Sequence, residues 1–128
     1  MKTRRSILIV DDDDDLRTML CAVLAGEGYD VVTASDGAEA LDRLHHQDLP
    51  SMLIVDLMMP RMDGESLIRR MLEEPTLATL PVTVMSGFGE ACAANWPPPV
   101  TACLVKPVEL DELLTAVARD MDGNHKPS

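Results

Sequence analysis

The chain has 128 residues, 46% of them hydrophobic and 26% charged, which fits one domain with a single packed core. Its net charge of −11 leaves no basic surface for nucleic acid, which excludes direct nucleic-acid binding. The first apolar run, residues 7–10, is far too short for a signal peptide or a membrane span. We therefore expect a cytoplasmic protein that makes no membrane contact.

Strands and helices alternate along the predicted chain. Short apolar runs predict five strands, over residues 7–10, 29–34, 52–55, 81–85 and 101–105. Apolar residues at helical spacing follow the first, second, third and fifth strands, whereas residues 86–100 allow at best a short helix over 89–95. Short strands that are apolar on both faces favour a parallel sheet covered by helices on each side. We predict a doubly wound α/β domain over residues 1–121 and a disordered tail over 122–128.

The three cysteines match no known ligand spacing. Cys21 falls in a helical pattern and Cys103 in a strand pattern, and no CxxC pair is present with Cys92. We expect buried thiols in a reducing compartment, and neither a disulfide nor a zinc site.

Polar residues follow four of the predicted strands. Asp11 and Asp12 follow the first strand, Asp56 the third, Ser86 the fourth and Lys106 the fifth. Ligands of parallel sheets bind at these carboxyl ends. Two unit charges 4 Å apart repel by roughly 4 kcal/mol at an effective dielectric near 20, so the carboxylates call for a cation. All-oxygen ligands favour Mg²⁺, with Mn²⁺ as the alternative, and a carboxylate beside such an ion can attack a phosphoryl donor.

Five consecutive aspartates, residues 11–15, therefore divide into two groups. Asp11 and Asp12 belong to the strand end and the metal. We expect Asp13 to cap the first helix, with Asp14 and Asp15 in its first turn, where the helix dipole favours negative charge.

Four motifs carry a family resemblance. ILIVDDD, LIVDLMMPRMDG, VTVMSG and CLVKP, in this order and spacing, resemble the receiver domain of bacterial two-component response regulators, and the resemblance covers residues 5–121. It implies a flavodoxin-like five-stranded parallel sheet of order 2-1-3-4-5 flanked by helices, with a short or irregular fourth helix here. It also implies a phosphorelay role, in which a histidine kinase or phosphotransfer protein phosphorylates the chain and a downstream protein recognises the result. Such a domain catalyses its own phosphorylation and slow dephosphorylation, and turns over no external substrate.

The resemblance assigns the metal and phosphate chemistry to individual residues. Asp56 resembles the phosphoacceptor. Asp11 and Asp12, together with Asp56 and the backbone carbonyl of Met58, resemble the ligands of Mg²⁺. Bulky apolar Met58 and Phe88 stand at the two positions that tune phosphate lifetime in the family, so we expect slow loss of phosphate.

The remaining family positions either bind the phosphoryl group or shape the loops around the site. Ser86 and Lys106 resemble the residues that bind the phosphoryl group, and the Lys106–Pro107 peptide bond is typically cis in the family. Pro60, Gly64 and Pro107 read as scaffold residues that shape the loops.

One position departs from the family pattern. The usual aromatic switch residue, three positions before the lysine, is replaced by Cys103, so we expect signalling chiefly through the loop over residues 86–96. This substitution leaves open a degenerate receiver that acts as a phosphorylation-independent adaptor. Only residues 122–128 follow the last predicted helix, so we expect no output domain in this chain, whether it is stand-alone or part of a longer regulator.

Two other metal-dependent functions fit less well. A phosphatase of the haloacid dehalogenase type also places DxD after its first strand, but expects Thr or Val where Asp15 stands. A calcium-binding EF-hand loop begun at Asp11 needs glycine at position 16 and glutamate at position 22, where the chain has Leu16 and Ala22.

Overall fold

Five strands alternate with five helices in the computed structural model, which describes residues 5–93 and 96–123. The strands and helices are, in chain order, β1 (Ser6–Val10), α1 (Asp14–Gly26), β2 (Asp30–Ala34), α2 (Gly37–His46), β3 (Met52–Asp56), α3 (Gly64–Leu72), β4 (Val82–Ser86), α4 (Gly89–Ala93), β5 (Val100–Val105) and α5 (Leu110–Gly123). Each predicted strand is confirmed to within one residue at its ends.

All five strands run parallel, in the order β2-β1-β3-β4-β5, which confirms the predicted topology. The chain winds from β1 to β2 on one side and through β3, β4 and β5 on the other. The carboxyl ends of β1 and β3 therefore lie side by side at the centre of the sheet, where the winding reverses. In open α/β sheets this point forms the ligand-binding crevice.

Two aliphatic cores, one on each face of the sheet, hold the helices in place. Helices α2 and α3 pack over one face and α1 and α5 over the other, and strands β1, β3 and β4 are buried on both faces. Methionine contributes to both cores, as the scarcity of aromatic residues requires. The buried methionines are Met52, Met71, Met85 and Met121.

Aspartates begin the first three helices. Asp13, Asp36 and Asp63 each accept a hydrogen bond from the backbone N–H three residues further on, which confirms the predicted cap at Asp13. These backbone bonds lower the pKa of Asp36 and of Asp63. Buried Asp36 also forms an ion pair with Arg61, which has a positive φ of 65° in the loop between β3 and α3. This pair ties the loop after β3 to the start of α2.

The ends of two helices compare differently with the sequence prediction. Helix α4 is described over Gly89–Ala93, and residues 94–95 of the predicted helix lie outside the described residues. Helix α5 continues through residues 122–123, so these two are helical rather than part of the predicted tail, and residues 124–128 lie outside the described residues. Among the helices that the structure describes, none has the length and apolar character needed to cross a membrane.

A disulfide joins Cys92 of α4 to Cys103 of β5, so the prediction of unpaired thiols is wrong for these two residues. Because α4 connects β4 to β5, it returns over the strand that follows it. The two Cα atoms, 11 positions apart in sequence, lie 5.2 Å apart, within the span that a disulfide bridges. Cys21 is free and half-buried in α1.

Candidate functional site

A lysine and two buried carboxylates meet at the carboxyl ends of the central strands. Asp56, 3% exposed, ends β3, and its Oδ2 lies 3.1 Å from Nζ of Lys106. The same Nζ donates a hydrogen bond to Oδ2 of Asp11, 3.2 Å away, just beyond the end of β1. Oδ1 of Asp56 accepts a hydrogen bond from the backbone N–H of Met58 at 3.2 Å. The ammonium group of Lys106 thus lies between two buried carboxylates.

Burial and neighbouring charges shift the pKa values of this cluster. Burial raises the pKa of the Asp56 carboxyl, and the charge of Asp11 raises it further. The Met58 N–H and the Lys106 ammonium act in the opposite direction without cancelling the rise. Burial alone lowers the pKa of Lys106, but its hydrogen bond to Asp56 and the charge of Asp11 outweigh burial and leave it raised. The lysine therefore stays charged at neutral pH, and the carboxylates favour additional positive charge.

Three carboxylates form an oxygen-rich cluster. Asp11, Asp12 and Asp56 each offer one carboxylate oxygen, and these three atoms lie within 4.8 Å of one another. Asp11 is fully buried and fixed, because its Oδ1 accepts a hydrogen bond from the backbone N–H of Asp13 at 2.9 Å. Its backbone carbonyl also accepts a bond from Arg17 Nη1 at 2.6 Å. The exposed Asp12 side chain is the adjustable member of the set.

The geometry of this cluster fits a magnesium ion. Oxygen ligands bind Mg²⁺ at about 2.1 Å, so two ligands of one ion are at most about 4.2 Å apart. The three oxygens lie within 4.8 Å of one another, an upper bound close to that limit. The donors are all carboxylate oxygens, the ligand type that Mg²⁺ prefers.

Ser86 lies at the same edge of the sheet, but its side-chain hydroxyl bonds to its own loop rather than to the carboxylates. It ends β4 next to β3, where Met85 pairs with Asp56, and it is 1% exposed. Its hydroxyl donates a hydrogen bond to the backbone carbonyl of Phe88 at 3.1 Å and accepts one from the Phe88 N–H at 2.9 Å. The hydroxyl is therefore held by the start of the loop that leads into α4.

Close packing fixes the loop after Asp56. A Cβ on Gly64 would lie 2.4 Å from the backbone oxygen of Asp56, a separation that real Cβ atoms essentially never show. No larger residue fits there unless the backbone of Asp56 shifts. Pro60 lies in the same loop, whereas Pro107 follows Lys106 through a cis peptide bond, as expected.

The sequence predictions thus converge on one place, with two exceptions. Asp11, Asp12, Asp56 and Lys106 come together, with Ser86 at the same edge. The Met58 carbonyl stays a prediction, since the contact seen for that residue is the one through its N–H. Cys103 lies three residues before Lys106 and is bound to Cys92.

The sequence predictions do not include two contacts near the site, one made by Arg17 and one by Cys92. No local pattern marks Arg17, because its bond to the Asp11 carbonyl depends on how α1 packs. Cys92 was detectable in principle, because a helix between two adjacent parallel strands must lie over one of them. The predicted helix over 89–95 and the strand over 101–105 then bring residues 92 and 103 close to each other.

Chemically, the arrangement provides a buried carboxylate with a fixed lysine beside it and acidic groups able to hold a divalent cation. Such a set can accept a phosphoryl group and neutralise the charge that arrives with it.

Comparison with known proteins gives a consistent family. The profile described as the response regulator receiver domain matches residues 7–118. The chain is 40% identical over 87 residues to "Response regulator PleD" of Caulobacter vibrioides, covering 66% of this chain and 19% of that protein. It is 38% identical over 90 residues to "Probable transcriptional regulator ycf27" of Guillardia theta, covering 70% of this chain and 34% of that protein. The chain thus spans about a third or less of these two relatives.

One solved structure superposes on nearly the whole of this chain. The response regulator receiver protein from Pseudomonas putida superposes with a TM-score of 0.84 at 32% identity, over 93% of this chain and 99% of that one.

Proposed function

Since the chain belongs to the family of response regulator receiver domains, we propose that it accepts a phosphoryl group on Asp56 from a histidine kinase or phosphotransfer protein and thereby switches its contacts with a downstream protein. The observation that carries this proposal is the position of Asp56, buried at the end of β3 with its Oδ2 3.1 Å from Lys106 Nζ. A carboxylate held in this way is a nucleophile with its charge compensation already in place.

The transfer balances with the groups at hand. An Asp56 carboxylate oxygen forms a bond to phosphorus while the P–N bond of the donor phosphohistidine breaks. The electron pair stays on the imidazole, which takes up a proton from solvent. Lys106 remains charged throughout, because its pKa is raised, and it can move its hydrogen bond from the carboxylate to a phosphoryl oxygen.

Mg²⁺ is the cofactor that fits, with Mn²⁺ as the alternative. Asp11, Asp12 and Asp56 would hold it, with the Met58 carbonyl as the fourth protein ligand. When bound, the ion neutralises charge on the phosphoryl oxygens. The residues' own part is to keep these acidic groups together, and Asp11 does so through its bonds to Asp13 N–H and Lys106.

Ser86 provides the response to phosphorylation. Its hydroxyl now bonds to the backbone of Phe88, and a phosphoryl group on Asp56 offers a stronger, charged acceptor. Turning toward it would release both hydrogen bonds at the start of the loop into α4. The signal would then pass from the site to that loop.

Phosphorylation by a small donor tests the proposal. Incubation with Mg²⁺ and acetyl phosphate should add one phosphate to the intact mass of the protein, and Asp56→Asn should abolish the adduct. Asp12→Ala should abolish Mg²⁺-dependent labelling, whereas Asp15→Ala, a matched change in the first turn of α1, should leave it nearly unchanged. An adduct that persists in Asp56→Asn would place the acceptor elsewhere and refute the assignment.

We also propose that the phosphate is lost slowly. The side chains of Met58 and Phe88 are 62% and 59% exposed and carry no polar group that could orient a water molecule. Replacing them together, as Met58→Asn with Phe88→Glu, should accelerate loss of the phosphate several-fold in a time course of intact mass. An unchanged half-life would contradict this proposal.

A second candidate function rests on one observation. The position of the usual aromatic switch is occupied by Cys103, which the disulfide holds to α4. A chain whose switch cannot rotate could serve as an adaptor that binds its partner without phosphorylation. Absence of any adduct, from acetyl phosphate and from a cognate kinase alike, would favour the adaptor.

A further inference from the structure

We propose that Cys92 and Cys103 form a reversible thiol–disulfide site, modified by low-molecular-weight disulfides and dithiols, whose redox state sets the mobility of α4. The inference does not depend on phosphorylation of Asp56. It rests on where the bond lies, on the local character of the hydrogen bonds that hold α4, and on the partial exposure of both cysteines.

The disulfide fastens a short helix to an edge strand of the sheet. Helix α4 has five residues, and helices this short do not persist without tertiary support. Cys103 pairs with Val84 of β4 and packs at the margin of the core that α2 and α3 cover. The bond therefore joins a short helix to a strand that is hydrogen-bonded into the sheet.

In the described part of the chain, the hydrogen bonds that hold α4 are local. The Trp96 indole N–H donates a hydrogen bond to the carbonyl of Ala91 at 2.8 Å, and the Ala91 N–H donates one to the carbonyl of Phe88 at 3.1 Å. Both bonds are local in sequence, whereas the disulfide holds the helix directly to β5. Reduction would leave α4 attached through local contacts and the packing of Trp96.

Both sulfurs belong to half-buried residues, so small thiol reagents can reach the bond after modest opening. The sequence predicts a reducing compartment, and disulfides in such compartments are commonly transient or redox-sensing. The bond also lies near the candidate site in sequence, since Cys103 in β5 precedes Lys106, which directly follows that strand, by three residues. A more mobile α4 would also make the preceding loop, which holds the Ser86 hydroxyl through Phe88, more mobile.

The chemistry is an ordinary exchange and balances with a disulfide oxidant such as glutathione disulfide. One protein thiolate attacks that disulfide, forming a mixed disulfide and releasing one glutathione thiolate. The second protein thiolate attacks the protein sulfur of the mixed disulfide and releases the other glutathione thiolate. The two protein sulfurs are oxidised, the oxidant becomes two thiols, and those thiols take up the two protons. A dithiol such as dithiothreitol reverses the sequence.

The sole tryptophan of the chain makes the test direct. Trp96 lies beside α4, so tryptophan fluorescence reports on the surroundings of this helix. We expect reduction of the full-length wild-type protein to shift the emission to longer wavelength and to speed hydrogen exchange of the α4 amides by about tenfold or more, given the loop-closure constraint that the bond removes. Returning the protein to glutathione disulfide should restore both signals.

Thiol counting verifies the state of the bond. Two of the three cysteines form the disulfide. Alkylation of the oxidised protein, denatured without a reductant, should therefore label Cys21 alone. The reduced protein should take three labels. Cys21→Ser should keep the full redox response. The double variant Cys92→Ser with Cys103→Ser should behave like the reduced wild type in both buffers. Three labels after incubation with glutathione disulfide, or identical fluorescence and exchange in both redox states, would overturn the proposal.

Discussion

At the carboxyl ends of β1 and β3, the buried side chains of Asp11 and Asp56 are each fixed by several partners, whereas a single covalent bond joins α4 to the neighbouring strand β5. Asp56 has Lys106 on one oxygen and the Met58 N–H on the other, and its own backbone is packed against Gly64. The α4–β5 corner, meaning Gly89–Ala93, Trp96 and Cys103, has local hydrogen bonds around α4, one disulfide to β5, and the packing of Trp96 and Cys103 at the margin of the core. Rigidity is thus concentrated where charge must be placed accurately, and freedom where a partner could sense a change.

The sharpest test of this contrast places a methyl group in each region. Gly64→Ala should reduce the free energy of unfolding by about 3 kcal/mol, because the new Cβ would meet the Asp56 backbone oxygen and the packed neighbours cannot yield. Gly89→Ala is the matched control in α4, where a Cβ has nothing within 4 Å. It should raise the free energy of unfolding by less than about 1 kcal/mol, through the unfolded chain. Urea titration measures both, and comparable losses for the two variants would contradict the contrast.

Removing the lysine tests the electrostatic part of the site. Lys106→Met should cost about 2 kcal/mol of unfolding free energy in metal-free buffer, less than for a fully buried pair because the lysine side chain is 27% exposed. Asp11 and Asp56 then lack a cation, so added Mg²⁺ should restore more stability to this variant than to wild type.

A surface ion pair supplies the control for that experiment. Arg69 pairs with Glu65 on α3, with both side chains about two-thirds exposed. Arg69→Met should change stability by well under about 1 kcal/mol, with no added response to Mg²⁺. Equal effects of the two substitutions would show that the lysine acts as an ordinary surface charge.

The smallest expected effect concerns a buried acid far along α5. Burial raises the pKa of Asp120, and the hydrogen bond from the Thr101 hydroxyl, 2.8 Å away, together with the charge of Arg119, only partly offsets it. A carboxyl whose pKa is raised by folding favours the folded state when it is protonated. Its contribution is complete below the pKa of the unfolded chain and is lost as pH rises through the folded-state pKa.

Asp120→Asn removes that loss, because the amide oxygen can still accept the Thr101 hydrogen bond without carrying charge. The variant should be more stable than wild type at pH 7 by up to about 1 kcal/mol, a scale typical of one net hydrogen bond. The difference should vanish below about pH 4, near the ordinary pKa of aspartate. Thermal unfolding across this range measures it, and a constant difference at every pH would exclude titration of Asp120 as the cause.

The two regions also differ in how far the sequence reveals them. The strand ends can be predicted because short apolar runs end abruptly at polar residues, namely Asp11, Asp56, Ser86 and Lys106. Parallel strands then bring their carboxyl ends to one edge of the sheet. The motif resemblance then supplied the strand order, which periodicity alone does not give.

The α4–β5 corner resisted the same reasoning for physical reasons. Residues 86–100 have no long apolar stripe, so the sequence predicts at best a short helix there, and the spacing of Cys92 and Cys103 matches no disulfide pattern. The bond from Arg17 to the Asp11 carbonyl and the ion pair of Arg61 with Asp36 escaped prediction as well. Both depend on loop and helix packing, which has no short sequence signature.

The contact of Lys106 with Asp11 joins residues 95 positions apart. During synthesis on the ribosome, Asp11 emerges early and must wait for β5 before its charge is balanced. Closing so long a loop is entropically slow, so the contact forms only once the sheet is nearly complete. A nascent or partly folded chain would carry its acidic residues without the lysine that organises them.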